Sequence, residues 1–565
     1  MTASKSLLSI FVILAIGSTS LRADVLMPLI FGDHMVLQQS VKLSVWGKAD
    51  SGEKVTVTVG SRTGSAIAGP DGKWRVELER LKVSTQPVTM TISGKNKIVF
   101  TDVLVGDVWL CSGQSNMEFA MTSESHAAVE LPKADNPLIR IFIVSHNWAY
   151  MPLEDVGLGS PENSLVGRWK LCTAESLTKM GGWGGFSAVA YYFGKEIQAA
   201  TKQPVGLIQS AYGGKPIEAF ISLEALKMNP PLATYAAQHE KELTDSPALM
   251  AAAAAGKADF DAKMKVWNDK YGAAYKQAWE EHNQAEAAAR AAHAPLPPRF
   301  KPPVERPTAP PDGKAHPDTA SHLFNGMIHP LIPFGIKGVI WYQGENNAGS
   351  PWDYDKLMAA LISDWRARWG LGDFPFLYVQ LASFQTPAKE PVQKDGWPVI
   401  RDMQLRTLKV SNTGMAVAID IGEANDIHPH DKLDVGHRLA LIARHVAYGE
   451  DIEFSGPIYD SMQIEDGKIR IRFKHAKGLK IAAHPQIFAD VPPAAAPAEL
   501  PAFAIAGADR NWYPAKAVIE GESVVVSSDQ VKEPVAVRYG WAKNPACHLY
   551  NSADLPASPF RTDAW

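Results

Sequence analysis

Cysteine is scarce: Cys111, Cys172 and Cys547 are the only three in 565 residues. At most one disulfide can form, which excludes a disulfide-stapled scaffold, and no structural-zinc spacing is present. Cys111 sits inside an apolar run and reads as a small buried residue. Basic charge is not in excess either, with 56 Lys and Arg against 60 Asp and Glu and a net charge of −4. No long basic run exists, so the electrostatics make no case for a nucleic-acid partner. The apolar stretch at residues 7–16 is too short to span a bilayer. It follows Lys5 and leads through small and polar residues to Ala23, the pattern of an export signal over residues 1–23. The expected location is therefore periplasmic or secreted, with no membrane anchor after cleavage.

What is present is a chain long enough for two or three domains, with 46% hydrophobic residues to build a core. Its 16 tryptophans are read first as core residues; any exposed ones could stack on sugar rings. Residues 24–102 show short alternating strands such as Val55-Thr56-Val57-Thr58-Val59 and a hairpin turn at Asp71-Gly72-Lys73-Trp74. They predict a small β-sandwich. From 103 to 450 continuous apolar runs (103–111, 139–144, 205–208, 338–342, 376–381, 415–419) are interspersed with helical patterns at 187–199, 354–369 and 400–409. That grammar predicts an α/β fold, a parallel sheet covered on both faces. Residues 229–318 interrupt it with an alanine-rich helical pattern and a proline-rich connector. The stripe Phe260, Met264, Trp267, Tyr271 within it is a packing face by its spacing. Strand patterns return over 451–565, on either side of a proline/alanine segment at 489–501.

The residues that carry chemistry fall just past the ends of the parallel strands, where open α/β sheets bind ligands. Gly113-Gln114-Ser115-Asn116 follows the first run, Gly213-Gly214 the third, Trp341-Tyr342-Gln343-Gly344-Glu345-Asn346-Asn347 the fourth, and Asp426-Ile427-His428-Pro429 the last. A serine hydroxyl needs a base to become a nucleophile, and His428, in a loop before a helix, is the leading one. Asp426 lies two residues earlier, on the same side of an extended loop, where it can hold the imidazole tautomer. Its alternative is a turn cap before Pro429. Donors for an oxyanion are the Gly213-Gly214 backbone, the Ser115 amide, and the side chains of Gln343, Asn346 and Asn347. Two rival readings use the same residues. Asp426, His428, His430 and Asp431 could ligate a metal, but lack obvious distant partners; Glu345 and Asp426 could be a glycosidase pair, which leaves Ser115 and His428 without a role.

These motifs resemble the sialate O-acetylesterase-like branch of the SGNH hydrolase superfamily. The resemblance rests on Trp109-Leu110-Cys111-Ser112-Gly113-Gln114-Ser115-Asn116-Met117, Phe186-Ser187-Ala188-Val189, Asn325-Gly326-Met327, the 341–347 block and Asp426-Ile427-His428-Pro429. His34-Met35-Val36-Leu37-Gln38 and Ser558-Pro559-Phe560-Arg561-Thr562 extend it over nearly the whole chain outside the insertion. It implies an SGNH-type parallel-sheet hydrolase core with flanking β-sandwich-like units, Ser115 as nucleophile, His428 as base, and Gly213 in the second oxyanion block. Gln343, then Asn346, stands where the wider superfamily places an asparagine donor. Asn425 occupies the superfamily's acid position three residues before the histidine, so the acid is Asp426 or absent. The implied reaction is cofactor-free and metal-free removal of O-acetyl groups from an acetylated carbohydrate. Xyloglucan- or xylan-type polysaccharide is the expected substrate and sialate the alternative; a non-catalytic carbohydrate-binding protein is the rival of another class. The oligomeric state is not legible.

Overall fold

The computed structural model describes residues 24–158, 166–179, 184–291, 297–298, 300–309, 312–484 and 495–565. The export signal expected over 1–23 and part of the proline/alanine segment lie outside these residues. Six parallel strands form the central sheet: β1 (Lys97–Gly113), β2 (Asn136–Ile143), β3 (Val205–Ala211), β4 (Gly338–Tyr342), β5 (Phe376–Gln380) and β6 (Thr413–Val417). Their spatial order is β6-β5-β4-β1-β3-β2, with the short strand Lys170–Cys172 antiparallel at the β2 edge. Sequence runs of unbroken apolar character became these strands because helices cover both faces. Trp109, Cys111, Ile340 and Leu207 pack toward helices α1 (Ala188–Thr201) and α5 (Leu433–Val446). Leu110, Val339, Trp341 and Tyr378 pack toward α3 (Tyr354–Trp369) and α4 (Gly396–Thr407). The chain runs from β1 out to β2 and back to β3 on one side, then crosses to β4 on the other side of β1, so a crevice opens at the β1 carboxyl end.

β1 belongs to two units at once. Its first half pairs antiparallel with Ser84–Ser93 in the amino-terminal β unit, and its second half pairs parallel with β3 and β4. Burial along it changes accordingly, alternating up to Asp102 and continuous from Val103. Asp102 itself has φ 52° and is tied to His34 and Arg140, so the strand turns there without ending. The change of pattern expected at 102/103 is therefore a change of surroundings inside one 17-residue strand.

The insertion is one long helix, α2 (Ala233–Ala291), with a return arm that packs along it. Trp267 Nε1 donates to Glu305 O at 2.8 Å, and Phe300 meets Tyr275 and Trp279 edge-on, so the aromatic stripe faces its own return arm. The carboxyl-terminal unit contains two four-stranded antiparallel sheets. All three cysteines are buried as free thiols. No described helix is long and apolar enough to cross a membrane.

Candidate active site

The end of β1 is forced into its shape by a neighbour. Gly113 has φ 136°, and a Cβ there would stand 2.1 Å from Tyr342 O, so only glycine lets the two strands close up. Gln114 N–H then donates to Tyr342 O at 3.0 Å, and a one-turn helix, Ser115–Glu118, begins. This presents the Ser115 hydroxyl at the crevice. From the loop between β6 and α5, His428 Nε2 reaches Ser115 Oγ at 3.0 Å. Its Nδ1 lies 3.2 Å from Asp426 Oδ1, which also accepts the His428 backbone N–H at 2.9 Å. Two stretches 313 positions apart in sequence thus meet in one hydrogen-bonded line.

Gly213 comes close to the same serine: a methyl group on it would sit 3.3 Å from Ser115 Cβ and 3.1 Å from Glu118 Oε2. Among the described residues, neither the Gly213 N–H nor the Ser115 N–H has an acceptor, so both are available to a developing oxyanion. Gln343 is a correction to the sequence reading. Its side chain is fully buried, and its amide nitrogen is spent on Lys215 O at 3.1 Å and Asn347 Oδ1 at 2.7 Å, with Tyr354 O–H donating to its oxygen. It braces the loop beneath the crevice instead of donating into it. Asn347 is likewise occupied, donating to Glu218. Asn346 is exposed, and its amide donates to Gly214 O at 2.8 Å, which ties the two glycine-rich loops together. Asp420, a conceivable orienting acid, is instead held in a buried pair with Arg438.

Beneath Ser115 lies a charged network that sequence reasoning did not find. Asn116 Nδ2 donates to Glu345 Oε1 at 2.6 Å and to Ile427 O at 3.1 Å, while its Oδ1 accepts from Lys432 Nζ at 2.6 Å. One amide therefore links the serine motif, the Glu345 block and the histidine loop. Burial raises the Glu345 pKa above the usual carboxylate range, against the lowering pull of Asn116, His428 and Lys432. Burial likewise pushes the Lys432 pKa down to about 7, although Glu345 and other carboxylates oppose it. Lys432 also lies over the rings of Phe119 and Tyr342, 4.7 and 5.3 Å from their centroids. A fully buried lysine has no signature in a single sequence, since lysines are overwhelmingly exposed; Asn116 and Glu345 were visible inside their motifs.

The rim is aromatic and close to electrically balanced. His146 stacks on Tyr212 with ring centroids 4.0 Å apart and holds Glu118 at 2.6 Å; Trp148 stands 5.9 Å from the same tyrosine. Burial opposes the His146 charge, but the Glu118 carboxylate outweighs it and raises the pKa. Lys215 pairs with Asp318 at 2.8 Å. The return arm of the insertion reaches this rim, since Trp148 Nε1 donates to Ala315 O at 2.9 Å and Tyr150 O–H to Gly313 O at 3.0 Å. Of the four residues weighed as a metal cluster, Asp426 and His428 lie in the line to Ser115, and His430 pairs with Glu423 at 2.8 Å. Only Asp431 stands among groups with ligand-like spacing.

The family described as carbohydrate esterase, sialic acid-specific acetylesterase, matches residues 105–240 and 320–444, leaving out most of α2 and its return arm. The sialate O-acetylesterase of Rattus norvegicus is 31% identical, over 94% of this chain and 92% of that protein. The Homo sapiens sialate O-acetylesterase is 30% identical over 94% and 90%. Among solved structures, a carbohydrate acetylesterase from Xanthomonas citri superposes with a TM-score of 0.72 at 32% identity, covering 96% of this chain and 100% of that one.

Proposed function

Because the chain belongs to the sialic acid-specific acetylesterase family of carbohydrate esterases, and so is a carboxylic ester hydrolase, we propose that Ser115, His428 and Asp426 carry its acetyl transfer. The observation that supports this most is the 3.0 Å contact between His428 Nε2 and Ser115 Oγ, with Asp426 on the other ring nitrogen. In this reading His428 takes the Ser115 proton as the oxygen attacks an acetyl carbonyl. Asp426 holds the Nδ1 proton and stabilises the imidazolium. The oxyanion is received by the N–H groups of Ser115 and Gly213, with Asn346 at the edge. His428 then returns the proton to the departing sugar oxygen. A water activated by the same imidazole releases acetate and regenerates the serine. No step draws on a cofactor.

For the substrate we infer a neutral acetylated polysaccharide or its oligosaccharides, of the xyloglucan or xylan type, ahead of sialate. A sialate carboxylate wants an uncommitted cation at the rim, and Lys215 is already paired with Asp318 while His146 is paired with Glu118. Trp148, exposed beside the occupied Tyr212 ring, offers a flat apolar face of the kind that sugar rings stack on.

The test is acetate release from acetylated xyloglucan, xylan, pectin and sialic acid, run with wild type and Ser115→Ala. Wild type is expected to release acetate fastest from xyloglucan or xylan. Ser115→Ala is expected to lose about 10³-fold or more in kcat with its fold intact. Release from sialic acid alone would overturn the substrate reading and leave the serine assignment standing. Undiminished turnover in Ser115→Ala would overturn the assignment itself.

A further inference from the structure

On the far side of the histidine loop, three donor groups converge that the esterase chemistry does not use. Asp431 and Asp434 come from the turn that opens α5, and His484 comes from the carboxyl-terminal unit, 50 residues later. His484 Nε2 lies 2.9 Å from Asp434 Oδ2 and 3.7 Å from Asp431 Oδ2. A tetrahedral ion with bonds of about 2.0–2.2 Å holds its ligand atoms roughly 3.4 Å apart, and these two spacings bracket that value.

Asp434 is only 2% exposed, yet neither of its carboxylate oxygens has a hydrogen-bond partner, and His484 Nε2 has none either. The two form an ion pair at 2.9 Å whose approach lacks the alignment of a hydrogen bond. A buried carboxylate left in this state is costly unless something else satisfies it. The outer contacts are those of a ligand histidine. His484 Nδ1 lies 3.0 Å from Asp420 Oδ2, and Asp420 is itself fixed by Arg438 at 2.7 and 2.8 Å and by Tyr550 at 3.0 Å. A carboxylate on one ring nitrogen turns the other toward the ion and sets its tautomer. Glu124 and His126 stand against the same Asp431 and could complete the coordination.

We propose that Asp431, Asp434 and His484 form a binding site for a divalent transition-metal ion of the zinc type, outside the reacting centre. One imidazole with two or three carboxylates suits zinc better than calcium or magnesium, which take oxygen donors. The ion would clamp the carboxyl-terminal unit onto the turn that follows His428. The rival occupant of this space is a proton, with His484 as a plain imidazolium between carboxylates.

The experiment uses the full chain, stripped with a chelator and then titrated with Zn²⁺ by calorimetry, alongside Asp434→Asn and His484→Gln, each checked for folding by circular dichroism. Wild type is expected to bind about one Zn²⁺ per chain and to gain about 3 °C or more in Tm with excess ion. Either variant should bind at least about tenfold more weakly. Substoichiometric zinc on wild type, or unchanged affinity in a folded variant, would overturn the site. Should neither variant fold, Co²⁺ on wild type decides. Visible absorption of a four-coordinate ion supports the site, and an octahedral spectrum or none refutes it.

Discussion

Asp426 Oδ1 serves two donors of one residue, the backbone N–H of His428 at 2.9 Å and its ring Nδ1 at 3.2 Å. The first contact shapes the loop and the second, in the proposed mechanism, aligns the base, so a substitution that keeps the shape and removes the charge separates them. Asp426→Asn retains an oxygen for the backbone while leaving the imidazolium uncompensated. We expect it to lower kcat by about 10²–10⁴-fold with KM changed by less than about threefold. Steady-state kinetics on an aryl acetate check this, and a loss under about tenfold would indicate a serine–histidine pair acting without the acid. That Ser115, His428 and Asp426 come together was legible because each follows an apolar run, and a strand end in a parallel sheet has a fixed place. Gln343 was read from that same placement and points the other way, because side-chain direction depends on what the loop packs against. Here the packing partners are Tyr354, Asn347 and the Lys215 carbonyl. Lys432 could not be read at all. Its burial is set by Asn116, Phe119 and Tyr342, which lie some 90 to 320 positions away in sequence.

At the scale of elements, the site depends on how closely the turn after β3 approaches the turn after β1. Gly213 lies against Ser115 there, and its N–H stays available only if the two turns keep their spacing. A methyl group there, 3.3 Å from Ser115 Cβ and 3.1 Å from Glu118 Oε2, presses on the carbon that carries the Ser115 hydroxyl. The pressure is local, because the glutamate end of that contact can swing away. Gly213→Ala should therefore fold, with Tm within about 3 °C of wild type, and lose about 10–100-fold in kcat from a displaced oxyanion donor. Thermal unfolding and kinetics on the same sample distinguish this from general destabilisation, and unchanged kcat would remove Gly213 from the oxyanion site. The elements themselves were largely visible beforehand: Gly338–Tyr342 and Tyr354–Trp369 coincide with the runs read from sequence. β1 was not fully visible, since its outer half alternates like an edge strand while its inner half is apolar throughout. A pattern reader sees two grammars there, whereas the backbone is one strand whose neighbours change.

The whole molecule divides into parts that lean on the core and a part that leans on itself. Arg401 in α4 is fully buried and donates to Leu381 O and Ala382 O of the core and to Ala542 O and Lys543 O of the carboxyl-terminal unit, at 2.7–2.8 Å. Gln380 at the end of β5 donates to Ser558 at 2.9 Å, and Arg561 meets Asp402 at 3.1 Å. One apolar cluster runs from Val45 through Phe376 to Ile469 and Phe560. Ending the chain at residue 450 would uncover that cluster and leave the Arg401 guanidinium without two of its four acceptors, the costly state of a buried charge with an incomplete shell. The helical arm is different. At 59 residues α2 is about 88 Å long, and beyond its first turns its apolar stripe is covered by its own return arm, through Trp267 with Glu305 and Phe300 with Tyr275. The root of the arm is held separately, by Ser246 on Gly313 and His239 on Ala320. Replacing residues 252–308 with a flexible linker of about eight Gly and Ser residues should therefore leave a soluble protein, with Tm within about 3 °C of wild type and aryl-acetate turnover within about twofold. Truncation at 450 should give aggregate. Size-exclusion chromatography and thermal unfolding of the two variants side by side decide it. Aggregation of the arm deletion would make α2 part of the folding core, and a soluble, active 1–450 fragment would make the carboxyl-terminal unit an independent attachment.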